Sequence, residues 1–160
     1  MLTLRNGCKV PFPEKLCEEY MLEDDRIIAN ISADKISDGM GHFICIHDEP
    51  IFFILELPSS CDDEQEIRPG IVEKLHNDVY YIDGCTIEEA LTILIRIGDL
   101  MINDGLCSFG FGGHESTDEI MFGKYNVTTI FSKSIKRYVD FMAEHDIPKA
   151  DRIITAWFTM

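Results

Sequence analysis

The stretch with the most chemistry in it runs Ser108-Phe109-Gly110-Phe111-Gly112-Gly113-His114-Glu115-Ser116-Thr117-Asp118-Glu119. Its glycines permit close backbone approach and positive φ. The polar tail holds a base, His114, and three carboxylates, Glu115, Asp118 and Glu119, which are ligand types for a divalent cation. A small metal-dependent hydrolase would use this loop, with help from His47, to activate water. The pattern argues against that reading. No Lys follows the glycines and no helix opens after them, so the stretch is not a phosphate loop. Ser116 does not sit in a Gly-x-Ser-x-Gly elbow. The plainer expectation is a sharp strand-to-strand connection with a solvated acidic tip, and the next is a partner-binding loop. His47-Asp48-Glu49 offers a second ligand set, but three adjacent turn residues seldom converge on one ion, and a polar turn is expected. No catalytic residue, metal or cofactor is assigned.

The carboxylates are better read as surface charge. Acids outnumber bases 29 to 14, for a formal net charge of -15. Glu14, Glu18, Glu19, Glu23, Asp24 and Asp25 share one stretch with only Lys15 against them. Asp62, Asp63, Glu64 and Glu66 form a second cluster, closed by Arg68. Such clusters commonly do no more than solvate a face. Binding to nucleic acid needs clustered Lys and Arg to displace counterions, and the densest basic group, Lys133, Lys136 and Arg137, is too small for a duplex. Anionic membrane surfaces are disfavoured for the same reason.

An acidic surface with no reaction centre suits a basic protein partner, found by steering and held by complementary charge. The expectation is therefore a small acidic binding protein that neutralises its partner by occlusion. Immunity or inhibitor proteins directed at a toxin such as a nuclease have this profile, because nuclease grooves are positive. Glu18, Glu19, Glu23, Asp24 and Asp25, or the Asp62–Glu66 loop, or the loop of His114, Glu115, Asp118 and Glu119, would supply the face. A third reading is a self-associating structural or regulatory protein joined through an apolar strand edge or the Phe109/Phe111 face. Monomer and homodimer are both compatible with the sequence.

Met1 to Lys15 lacks an apolar core of signal-peptide length. The longest apolar stretches, Ile51 to Leu55 and Leu91 to Ile97, fall short of the roughly 20 residues of a membrane span. A cytoplasmic location is expected. The six cysteines form no CxxC pair and are expected to be reduced thiols, with Cys45 and Cys107 as small buried hydrophobes.

Positioning these residues falls to a chain of 160 residues with 46% apolar content, expected to fold as one domain over 1–160. Pro13 to Glu23 reads as a short helix and Arg26 to Ser32 as a strand. His42–His47 and Ile51–Leu57 read as a hairpin about Asp48-Glu49-Pro50, from their β-branched and aromatic content. Pro69 to Leu75 suggests helical turns, and Asp78 to Asp83 a strand. Thr86 to Asp104 is the best helix. Thr86 and Glu89 fit a capping box, Gly105 fits a left-handed stop, and the wide apolar stripe predicts burial of most of its surface. Glu119–Gly123 and Tyr125–Phe131 read as strands, Ser132 or Ser134 as the cap of a helix ending near His145, and Arg152–Phe158 as a last strand. Runs of adjacent strands predict an α+β fold. Its antiparallel or mixed sheet would have about five to seven strands, packed on one long and one or two shorter helices.

Overall fold

The computed structural model describes residues 2–6, 9–58 and 78–156, with backbone alone at 65–68, 71–73 and 77. The fold is α+β. Its strands are β1 (Glu19–Glu23), β2 (Arg26–Asn30), β3 (Ile51–Pro58), β4 (Gln65–Arg68), β5 (Ile71–Glu73), β6 (Asn77–Cys85), β7 (Ser108–Gly113), β8 (Glu119–Phe122) and β9 (Val127–Phe131). The helices are α1 (Ile36–Cys45), α2 (Ile87–Asp104) and α3 (Lys136–Glu144). Among the described residues a seven-stranded sheet has the order β1-β2-β9-β8-β7-β3-β6, with every neighbouring pair antiparallel. β4 and β5 pair separately as a two-stranded ribbon.

The register fixes which side chains share a face, because paired residues of adjacent strands point the same way. One row runs Leu22, Ile27, Ile130, Ile120, Phe111, Phe53 and Ile82. It lies under α1, which packs on β7 and β8, and α2, which packs on β3 and β6. Phe109 and Phe111 are fully buried there with Phe43, Met40 and Ile44 of α1. The next row, Met21, Ile28, Thr129, Met121, Gly110, Ile54 and Tyr81, faces the opposite side. No helix covers it among the described residues.

The glycine-rich stretch is thus a central strand, not a turn. A Cβ on Gly112 would lie 2.0 Å from the Phe52 ring, and one on Gly110 would lie 1.8 Å from the Ile120 carbonyl oxygen. Glycine lets Phe52 lie flat on β7 from the open side, while Phe109 and Phe111 fill the other.

α2 starts and ends as its sequence predicts. The Thr86 side chain accepts from the Glu89 amide, the Glu89 carboxylate returns to the Thr86 amide, and Gly105 closes the helix at φ 80°. Glu49 Oε1 adds a further acceptor for the Ile87 amide at 2.8 Å. Burial is confined to one face. Ala90, Leu94, Gly98, Met101 and Ile102 are buried, whereas Ile95 is 80% and Leu100 72% exposed.

Several expectations are corrected. Residues 13–23 form a 3-10 turn at Pro13–Lys15 and then β1, because Tyr20 and Leu22 pair with Ala29 and Ile27. His42–His47 is the end of α1 and the turn after it. Ile36, Met40, Phe43 and Ile44 recur at helical spacing and bury one face. The Pro69–Leu75 segment carries β5 at its described positions. No serine side chain caps α3, whose N-cap is Ile135. Residues 151–156 form no strand. The chain instead pairs with β1 just before them, where the Tyr20 amide donates to Pro148 O and the Ala150 amide to Tyr20 O. Cys45 is exposed, while Cys107 is buried as expected. Cys8, Cys61, His76, Trp157 and Phe158 lie outside the described residues.

Arg5 is a charge that nothing in its local sequence singles out. Its side chain is buried with the guanidinium 4.9 Å from the centre of the Phe122 ring. It donates to the carbonyls of Met101, Ile102, Cys107 and Gly123. Two of these end α2, so the cation meets the negative end of the helix dipole.

Candidate functional site

The polar residues of the 114–119 loop part company in the fold. β7 and β8 end and begin at the same end of the sheet, so the connection between them projects there. His114 and Glu115 are exposed on it. Asp118 turns inward and is only 3% exposed. Its Oδ2 accepts from Tyr138 Oη at 2.5 Å and from Ser132 Oγ at 2.9 Å, and lies 3.0 Å from His47 Nε2. The Arg137 guanidinium stands off at 4.0 Å. Asp118 is therefore the hub of a buried network joining α1, α3 and the β7–β8 and β9–α3 connections, not part of a solvated tip.

His47 is likewise buried and not a plain turn residue. Its Nδ1 lies 2.6 Å from the Phe43 carbonyl and its Nε2 faces Asp118, so both ring nitrogens meet oxygen acceptors. Burial, with Asp118 beside it, pushes the Tyr138 hydroxyl well above the usual tyrosine range, so it remains a donor to the carboxylate. Ser132 is a donor to Asp118 and an acceptor for the Ser134 amide. Its hydroxyl is buried with its hydrogen bonds taken up inside the network, and the arrangement orders four structural pieces. Outside it, a shallow cleft of about 230 Å³ is lined by Ile46, His47, Asp48, Glu115, Ser116 and Arg137.

Glu119, one residue on, points to the open face, in the row Glu23, Arg26, Phe131, Glu119, Gly112. Partial burial, and then the charge of Glu56, raises its carboxyl above the ordinary carboxylate value. Glu56 lies on the same face, since it pairs with Ser108 four residues beyond Gly112 on β7. Among the described residues neither carboxylate has a cation within ion-pair distance. Glu56 is not among the residues that sequence reasoning selects. A signal for it exists all the same: it is a lone acid directly after the apolar run Ile51-Phe52-Phe53-Ile54-Leu55.

The first acidic cluster is divided. Asp24 and Asp25 form the exposed tip between β1 and β2, with Asp24 in the left-handed region at φ 53°. Glu23 is held by Arg26 at 3.0 Å. Glu19 is half-buried on β1. Glu18 has an internal role. Burial alone would raise its carboxyl, but Lys35 Nζ at 2.8 Å and the Ser32 amide at 3.0 Å hold it below the ordinary value. Asp62, Asp63 and Glu64 lie outside the described residues, and Glu66 is on β4.

The register places the Asp24–Asp25 tip and the His114–Glu115 connection at one end of the sheet, with β9 between the two hairpins. Three strand spacings put them about 14 Å apart. Asp48 and Glu119 fall at the same end, so the structure gathers carboxylates from distant parts of the chain into one rim. No group of three or more potential metal ligands occurs among the described residues. No described helix is long and apolar enough to cross a membrane. In comparison with known proteins, no family model, no curated protein and no solved structure matches the chain.

Proposed function

We propose that the chain is a small acidic binding protein that neutralises a basic protein by covering it, as an immunity or inhibitor protein silences a toxin such as a nuclease. The observation that carries the reading is the Glu56 and Glu119 arrangement. On a sheet face that no described helix covers, partial burial first and then the charge of Glu56 raise the cost of ionising Glu119. Lys124 lines the same hollow as Glu56, but among the described residues no cation is within ion-pair distance of either carboxylate. A Lys or Arg brought by a partner would relieve that cost, beside the half-buried side chains of Phe52 and Met121. Asp24, Asp25, Glu115 and Asp48 extend the acidic field at the neighbouring end and would accelerate encounter. Asp118, buried with its Oδ2 held by internal partners, does not belong to the partner face.

The test is to capture complexes of the tagged chain from its source cells, identify the bound protein and rebuild the pair from purified components. A partner of high isoelectric point is expected, inhibited at one-to-one stoichiometry, with a rate of association that falls as salt is added. Glu56→Lys with Glu119→Lys should weaken the pair at least about tenfold, or 1.4 kcal/mol. An acidic partner, or an affinity indifferent to both salt and the double variant, removes the proposal.

One observation favours a second reading, self-association through a strand edge. Val79, Tyr80, Tyr81 and Ile82 on the edge strand β6 are 43%, 53%, 65% and 48% exposed. Sedimentation decides this: a dimer that Tyr81→Lys dissociates supports it, and a monomer at all concentrations excludes it.

A further inference from the structure

The open face of the sheet holds a groove of about 930 Å³ beside β1, β2 and β9, flanked by Phe12 and Lys15 on one segment and residues 152–155 on another. Met21, Ile28 and Thr129 lie side by side along its floor, because Met21 pairs with Ile28 and Ile28 with Thr129. Phe12, Val127 and Ile154 complete an apolar lining. The volume is that of a small-molecule site.

The charge at this groove is opposite to that of the chain as a whole. Lys15 and Arg152 line it, and among the described residues neither makes an ion pair. The Lys15 ammonium lies 4.5 Å from the centre of the Phe12 ring, so the cation and the apolar wall adjoin. One carboxylate, Glu23, also lines the groove, and Arg26 neutralises it at 3.0 Å. Two uncompensated positive charges therefore flank an apolar trough in a protein of net charge -15.

The floor also selects against a peptide. It is the side-chain surface of three strands whose amides and carbonyls are bonded to one another, and the outer edge of β1 is bonded to Pro148 and Ala150 at Tyr20. An extended peptide would bury its own backbone groups without partners. A ligand whose tail carries no polar groups incurs no such penalty.

We infer that this groove binds a small amphiphile with an anionic head, of the class of a medium-chain carboxylic acid. The tail lies over Met21, Ile28 and Thr129, and the carboxylate sits between Lys15 and Arg152. An adjoining hollow of about 400 Å³ shares Val127 and Thr129 and continues the trough toward Met121. It is lined by Glu56 and Lys124 together, so it offers no net charge to draw the head away from the other end.

The experiment is calorimetric titration of the full chain with dodecanoate, dodecanol and dodecylammonium, each below its micelle concentration, with thermal melts in parallel. Dodecanoate should bind as one molecule per chain and raise the melting temperature, as any ligand selective for the folded state does. Dodecanol should bind at least about tenfold more weakly, and dodecylammonium not at all. Lys15 and Arg152 are exposed, so Lys15→Glu with Arg152→Glu should keep the fold and lose at least about tenfold in affinity for dodecanoate. Thr129→Trp should fill the floor and abolish binding of both dodecanoate and dodecanol. The inference is overturned if dodecanoate neither binds nor shifts the melt, or if dodecylammonium binds as tightly. It is equally overturned if either variant leaves dodecanoate affinity unchanged.

Discussion

The two faces of the seven-stranded sheet are built from the same strands and differ in almost everything else. The helix-covered face carries Phe53, Phe109, Phe111, Ile120 and Phe122, all nearly or fully buried. Beside these hydrophobes the interior admits Arg5, the paired His47 and Asp118, and a few small polar residues, with each ionisable group amply hydrogen-bonded. The open face carries Met21, Met121, Phe52 and Tyr81 among carboxylates and cations. Stability is concentrated on one side and recognition is left to the other. The contrast shows that the period-2 pattern does not say which apolar row is the core. Coverage by helices decides it, and helices are placed by contacts distant in sequence.

Four substitutions break or sharpen that contrast. Phe111→Ala, in the covered row, should cost about 3–5 kcal/mol in urea unfolding and leave a cavity. A cost below about 1 kcal/mol would mean that the covered face is not the core. Asp118→Asn replaces with an amide the carboxylate that accepts from Tyr138 and Ser132, and should cost about 2–3 kcal/mol, again by denaturant titration. Gly112→Ala drives a methyl into the Phe52 ring on the open side. A side chain on that face can tilt away, so the expected loss is about 1–3 kcal/mol, with altered near-ultraviolet dichroism as the ring moves.

The smallest effect has the opposite sign. The folded-state pKa of Glu119 lies above the ordinary value of 4.5. The folded protein therefore holds more of that proton than the unfolded chain, and stability falls as pH rises through the window above 4.5. Glu119→Gln removes the penalty. Because the site is partly exposed, the gain is about 0.5 kcal/mol. The variant should melt higher than its parent at neutral pH, and the difference should close once the pH drops below 4.5, where the carboxyl is protonated in both states. A variant that melts lower at neutral pH would place a favourable partner beside Glu119.

Local signals are legible where they are self-sufficient. The Thr86–Glu89 box and Gly105 specify both ends of α2 without help from elsewhere, and Ile51–Leu57 reads as a strand because nothing else suits that run. Residues 36–47 hide their helix because α1 has no side-chain cap and contains Gly39 and Gly41. Its helicity comes from packing. A methyl on Gly39 would stand 3.4 Å from the Phe141 ring of α3, ordinary contact distance, so the two helices pack closely there through residues about a hundred apart in sequence. β1 is hidden for a similar reason, since its acids look helical until β2 supplies a partner. At the site, Asp118 and Glu119 are indistinguishable as letters. Their separation to opposite faces follows from where β8 begins, and the partners His47, Ser132 and Tyr138 come from three other parts of the chain.

The bonding of Pro148 and Ala150 to Tyr20 leaves the two flanks of the sheet unequal. On the β1 flank the hydrogen-bonding positions at Tyr20 are already occupied, while among the described residues no strand pairs with the outer side of β6. A strand added to the large sheet finds its place beside β6, and two copies joined there would close as a symmetric pair.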